Sequence, residues 1–380
     1  MRRTAAPEMM IKVEPMAEAR VNQVNCLGES RREPVEARVV LFTTTRRLSL
    51  RREWPLEASS FESGPILGPM ATTQSFVRAT SWRRTAGGYL ALTKPRIIEL
   101  LLVTTVPTMI VAQEGWPSIG LIVATLVGGT LAAGGANALN MVIDRDIDAI
   151  MERTKNRPLV TGIMSPTSAT IFAIGLEVIA FVELWLLVNL LSAVLAVSAT
   201  LFYVFIYTIW LKRRSSQNIV IGGAAGAVPV LVGWAAVTNS LAWPPIILFA
   251  VIFIWTPPHF WALAIRYRDD YEAVDVPMLP VVASMERTTL EILIYSVALA
   301  AAAMLFGASA HLGVLYAVVA MALNVMLLVM AAKLYARARR GETIGGPEAM
   351  RLFHYSITYL TLLFVAMAAD VLIRNAINAH

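Results

Sequence analysis

An all-α, polytopic membrane fold of about nine transmembrane helices is predicted by three features of this 380-residue sequence. The chain is 57% hydrophobic and only 15% charged, where a soluble domain carries about one quarter charged residues. Its apolar residues gather into nine runs close to the ~20 residues that cross a bilayer. The loops between the runs alternate, every second one carrying Lys and Arg and the others none.

The runs follow in order. Ile97–Ala112 and Ile119–Ile143 are joined by a short loop without basic residues, and Arg145, Arg153, Lys155 and Arg157 come after the second. Ala169–Val188 and Leu191–Leu211 are joined in the same way and are followed by Lys212, Arg213 and Arg214. Ile219–Val237 and Ile246–Ile265 repeat the pattern before Arg266, Arg268 and Arg287. Leu290–Phe306 and Leu312–Ala332 repeat it before Lys333, Arg337, Arg339, Arg340 and Arg351, and Phe353–Ile373 closes the set. Basic loops stay on the cytoplasmic side of a membrane. The N-terminus and these loops are therefore expected in the cytoplasm and the C-terminus outside, in a multi-pass plasma-membrane protein. The loops after the second and sixth runs lie four spans apart, a spacing that suggests two related four-helix halves plus a ninth helix.

Residues 1–69 stand apart, rich in Arg, with nine Glu and no sustained apolar period. Their longest apolar piece, Val39-Val40-Leu41-Phe42, is too short for a signal-peptide core, and the acids do not suit a transit peptide. They are expected to be a disordered extension, or sequence ahead of a true start at Met70, with the transmembrane domain in 70–380. The net charge of +6 does not imply nucleic acid, because the basic residues are spread over short loops. One cysteine, Cys26, excludes an intrachain disulfide. His259, His311, His354 and His380 share no metal-ligand spacing.

The main chemical signal closes the second run. Asn140, Asp144 and Asp148 are spaced four apart, so on a helix they line one face, while Asp146 points elsewhere. Two carboxylates stacked one turn apart repel, and Mg²⁺ offsets that cost by binding one or two carboxylates together with a substrate's phosphates. Arg153, Lys155 and Arg157 follow closely. Acids that hold a metal, with bases beside them, form a clamp for a metal-diphosphate.

The pattern Asn140-x-x-x-Asp144-x-x-x-Asp148 followed by Arg153-Thr-Lys155-Asn-Arg157-Pro-Leu resembles the UbiA superfamily of intramembrane aromatic prenyltransferases. The resemblance covers about residues 86–375. It implies nine helices around a central cavity, with a Mg²⁺-bound prenyl diphosphate at the cytoplasmic side. Trp255-Thr-Pro-Pro-His259-Phe260-Trp261, Val276-Pro-Met-Leu-Pro280 and Leu92-Thr-Lys94-Pro-Arg96 are similar to the branch of that superfamily that farnesylates haem. The branch implies transfer of farnesyl from farnesyl diphosphate to a vinyl group of haem B, with addition of water. It also implies haem A synthase or an oxidase assembly as a further partner. Another aromatic acceptor, such as a benzoate, naphthoate or chlorophyllide, is the alternative.

The resemblance assigns catalytic roles to Asn140, Asp144, Asp148, Asp270 and Asp269, with Asp144, Asp148 and Asp270 as Mg²⁺ ligands. Many superfamily members carry a second spaced acidic motif after the sixth span; here there are only Asp269, Asp270 and Asp275. Arg153, Lys155, Arg157, Lys212, Lys94 and Arg96 are the diphosphate-binding candidates, although Lys94, Arg96 and Lys212 also suit membrane anchoring. His259, Arg266 and Tyr267 are haem-binding candidates; His259 follows two prolines that free backbone groups, and a neutral imidazole there would ligate iron. Glu177 and Glu183 fall inside the third run, where acids are costly, and are expected to hydrogen-bond between helices. Asp370 is expected at the outer interface. Trp255, Phe260 and Trp261 are expected to pack.

Overall fold

The computed structural model describes residues 82–378, and for 96–102 the backbone alone. The expectations for residues 1–69, Met70, Cys26, His380 and the side chain of Arg96 lie outside the described residues. Among those residues every regular element is a helix.

Among the described residues eight helices are long and apolar enough to cross a membrane. They are α3 (Ile119–Ile143), α5 (Pro166–Leu187), α6 (Leu190–Leu201, running on as a π-helix to Leu211), α7 (Asn218–Thr238), α8 (Trp243–Arg266), α11 (Met285–Ser309), α12 (Val314–Arg339) and α13 (Gly346–Asn378). The first predicted run lies in α2 (Pro95–Gln113). Four short helices complete the described residues: α1 (Trp82–Thr93), α4 (Arg145–Ile150), α9 (Arg268–Glu272) and α10 (Leu279–Val282).

Polar caps begin several spans earlier than their apolar runs do. Ser165 accepts from the Ser168 amide at 3.0 Å, and Ser284 from the Arg287 amide at 3.1 Å. Each satisfies an orphan donor of the first turn. The helix then passes through a polar turn before the hydrophobic stretch begins. Helix α12 has no such cap of its own. Asp370 of α13 supplies one, accepting from the Gly313 amide at 2.7 Å and the Tyr316 amide at 3.3 Å. Asp370 is 2% exposed and pairs with Arg374 at 3.0 Å. It sits at the end away from the basic loops, as the outer-interface expectation had it, but as a buried inter-helix cap, because its carboxylate satisfies amides that a span cannot leave bare.

Small residues let the helices approach, as membrane bundles require. A Cβ on Gly233 of α7 would lie 2.9 Å from the Thr105 carbonyl of α2, and one on Gly135 of α3 would lie 2.9 Å from the Ala173 carbonyl of α5. Large apolar side chains such as Ile171, Val178, Val318 and Val325 point outward, as lipid-facing positions do. Inside, α2, α3, α6, α7 and α8 enclose a cavity of about 410 Å³. Its polar end is lined by Lys94, Asp148, Arg153, Arg157 and Lys212. These come from the heads or tails of successive helices that all end on the basic side.

Candidate active site

Asn140, Asp144 and Asp148 turn inward at 4%, 0% and 2% exposure, while the side chain of Asp146 is 60% exposed. The chain bends at Asp144, between α3 and α4, with φ −87° and ψ 4°. The amides of Asp144 and Asp148 nevertheless donate to the carbonyls four residues back, each at 2.9 Å. The one-face stacking read from the spacing survives the bend.

Asp144 is gripped through one oxygen. Asn140 Nδ2 donates to Oδ2 at 2.7 Å, and Lys212 Nζ reaches the same atom at 2.5 Å. Its Oδ1 is buried and accepts no hydrogen bond, with Arg213 standing 3.7 Å away. Asp148 accepts from Arg157 Nη1 at 2.5 Å. A buried carboxylate oxygen without a donor is costly, and hard oxygen ligands one turn apart suit a cation that prefers carboxylates and phosphates. The donor chemistry of Asp144 and Asp148 suits Mg²⁺. Asp146 instead takes both guanidinium nitrogens of Arg213, at 2.7 Å each. Those hydrogen bonds hold its carboxyl well below the usual range, at about 2.

Lys94 occupies the junction of α1 and α2 in the left-handed region, φ 52°, at a cost of about 1–2 kcal/mol for a residue with a Cβ. That turn sends its side chain into the cavity, where Nζ donates to Asn140 Oδ1 at 3.0 Å. Burial, reinforced by Arg157 and Lys212, lowers its pKa to about 7. Lys94 is therefore a cavity residue and not a membrane anchor. Lys155 does not join it; it pairs with Glu152 on the surface.

Lys212 arrives by way of the π-helix. There the Lys212 amide donates to the Tyr207 carbonyl five residues back, at 2.8 Å, and Thr208 Oγ1 donates to the Tyr203 carbonyl at 2.9 Å. Five residues make about one wide turn, so Tyr207 and Lys212 share a face. On a regular α-helix they would be about 140° apart. Tyr203 and Tyr207, ring centroids 5.3 Å apart, line the cavity beside Lys212. Thr208 lies 3.2 Å from Asn140 Nδ2. Sequence reasoning missed Tyr203, Tyr207 and Thr208 because nothing in an apolar run announces a π turn.

The loop after α8 repeats the geometry of the first motif without its chemistry. The chain bends at Tyr267 (φ −110°, ψ 28°) between α8 and α9, as it bends at Asp144 between α3 and α4. Counting from each bend, Leu263, Tyr267 and Tyr271 stand where the first loop has Asn140, Asp144 and Asp148. Leu263 and Tyr271 line the cavity. Asp270 and Asp269 fall off that face; Asp269 is exposed, Asp270 half-buried, and neither lines the cavity. Among the described residues no three acidic, His or Cys side chains gather as a metal cluster. Asp270, the first choice for a contact with a second Mg²⁺, lies off the side of this loop that carries Leu263 and Tyr271 to the cavity.

The haem candidates are also displaced. His259 is 6% exposed, stacked between Trp255 (4.2 Å) and Phe353 (4.5 Å), with Nδ1 2.7 Å from Ser356 Oγ. Ser356 gives its own proton to the Phe353 carbonyl, so His259 Nδ1 is the donor. The ring does not line the cavity. Its partner is a serine on α13, and neither an open face nor a carbonyl freed by the prolines was found for it. Arg266 and Tyr267 form a surface stack with Arg153, whose guanidinium lies 5.4 Å from the Tyr267 ring. Trp255 and Phe260 line the cavity, and Trp261 packs in the core against Tyr295. Glu177 makes the expected interhelical bond, accepting from Thr200 at 3.1 Å.

A model of the UbiA prenyltransferase family matches residues 101–357. The protoheme IX farnesyltransferase of Parafrankia sp. is 52% identical over 319 residues, which are 84% of this chain and 99% of that protein. A digeranylgeranylglyceryl phosphate synthase structure covers 76% of this chain and 98% of its own, with a TM-score of 0.63 at 16% identity. A UbiA homolog from Archaeoglobus fulgidus bound to DMAPP and Mg²⁺ gives 0.52 at 16% identity, over 74% and 98% of the two chains. At such identities the structural likeness is one of fold.

Proposed function

The chain belongs to the UbiA prenyltransferase family, and from that premise we propose that residues 70–380 transfer the farnesyl group of farnesyl diphosphate to a vinyl group of protohaem IX. Water then adds to give a hydroxyethylfarnesyl haem. The observation that carries this reading is the 52% identity to a protoheme IX farnesyltransferase across 99% of that protein.

Lys94, Arg153, Arg157 and Lys212 line one end of the cavity and bind the diphosphate oxygens. Asp144 and Asp148 hold the metal, and Asn140, bonded to both Lys94 and Asp144, keeps the cation-binding and anion-binding groups in register. Mg²⁺, when bound, neutralises charge on the departing diphosphate. Lys212 neutralises Asp144 in this structure and turns to phosphate once that charge is met otherwise. Trp255 and Phe260 line the cavity, where aromatic rings stabilise a cation and keep water from it. Basic loops on the polar side support a cytoplasmic position for this end of the cavity in a plasma-membrane protein.

The test is product analysis. Purified protein with farnesyl diphosphate, haem B and Mg²⁺ should yield a farnesylated, hydroxylated haem by mass spectrometry. Turnover of a benzoate or naphthoate acceptor, with haem left unchanged, would overturn the reading.

A further inference from the structure

We propose that Thr200, oriented by Glu177, holds the water that completes the reaction; this rests on the protohaem reading above. Thr200 lines the cavity, and its hydroxyl donates to Glu177 Oε1 at 3.1 Å. Glu177 lies behind the wall, and its Oε2 is buried without a hydrogen bond. A threonine hydroxyl has one proton and two lone pairs. With the proton committed to Glu177, Thr200 offers the cavity lone pairs only. A water at Thr200 must donate to it and so presents its own lone pair outward.

The depth is right for the acceptor carbon. Glu177 packs on α3 at Gly135, where a Cβ would meet its Oε1 at 2.5 Å. Gly135 is five residues from Asn140, about 7 Å along the axis. That places Thr200 one to two turns below the diphosphate-binding end, the depth at which the proposal puts the acceptor carbon. Thr125 and Thr256 also line the cavity, but their protons go to the carbonyls of Leu121 and Ile252 in their own helices. Neither has a carboxyl behind it to offset positive charge.

The step balances. The farnesyl carbon bonds to the terminal vinyl carbon as its bond to diphosphate oxygen breaks, leaving a cation at the carbon next to the porphyrin. The oxygen of the Thr200-held water bonds to that carbon, and the proton lost from the resulting oxonium goes to the released diphosphate. Without a placed water, the same cation sheds a proton from the adjacent carbon and gives an alkene one water lighter. Glu177 is a positioning residue, acting through Thr200.

The partition between these two products is the readout. Thr200→Val keeps the shape and removes the hydroxyl, and should raise the alkene-to-alcohol ratio at least ~10-fold by mass spectrometry. Diphosphate release should change little. Glu177→Met should move the ratio the same way, and Thr200→Ser should restore it. An unchanged ratio in Thr200→Val, with farnesylated haem formed, overturns the inference. Absence of farnesylated haem from the unaltered protein falls instead on the parent reading.

Discussion

Three acids within five residues have different environments, and the difference sets what each substitution does. Asp144 and Asp148 are buried and paired with Lys212 and Arg157, which line the cavity. Asp146 is exposed and paired with Arg213, an arrangement typically worth under ~1 kcal/mol. Asp144→Ala or Asp148→Ala removes a ligand from a preorganised site and should lower kcat/KM for farnesyl diphosphate on the order of a thousandfold, about 4 kcal/mol. Asp146→Ala should stay within a few-fold of the unaltered protein. An inactive Asp146→Ala beside a near-normal Asp148→Ala would reverse the assignment. This contrast was legible in the sequence, because four-residue spacing on a helix fixes which side chains share a face. The fate of His259 was not, since its partner Ser356 and the ring of Phe353 come from a helix about 95 residues away.

At the scale of elements, spanning helices were legible because a bilayer demands a continuous apolar run, and their ends moved only where polar caps add a turn. The wide turn in Phe202–Leu211 was not legible. Its aromatic and aliphatic residues satisfy an α-helix equally well, and only the placement of Tyr207 and Lys212 on one face reveals it. Deleting Phe205, which is 56% exposed on the outer side, should restore ordinary winding and carry Lys212 away from Asp144. The protein should still accumulate in membranes, while activity falls about 100-fold or more, as when one preorganised donor is lost from an active site. Retained activity in that deletion would mean that the wide turn does not position Lys212. The placement of Asp270 was not legible for a related reason. The bend at Tyr267 could not be foreseen, so nothing in the sequence showed that Tyr271, and not Asp270, would face the cavity.

For the whole molecule, the charge alternation read from the loops agrees with the ends that meet in space. Lys212 reaches Asp144, Arg153 covers Tyr267, and Arg337 pairs with Glu348, 3.1 Å apart, all on basic loops. At the opposite end Asp370 meets Gly313, and Asn189 meets the Ala235 carbonyl. Single cysteines placed at exposed Lys155, Glu272 and Ser240, in a background with Cys26→Ser, test the orientation. An impermeant thiol reagent added to intact cells should modify only the Ser240 position; labelling at either of the others would invert the topology. The balance of charge at the polar end has one more consequence. Arg153, Arg157, Lys212 and the partly neutral Lys94 line the cavity with one carboxylate, Asp148, while Asp144 is buried behind Lys212. A free dication approaching that end meets net repulsion, whereas a polyanion is drawn in. If the site takes a metal-diphosphate as proposed, the metal is expected to enter as the escort of the diphosphate and to bind the empty protein only weakly.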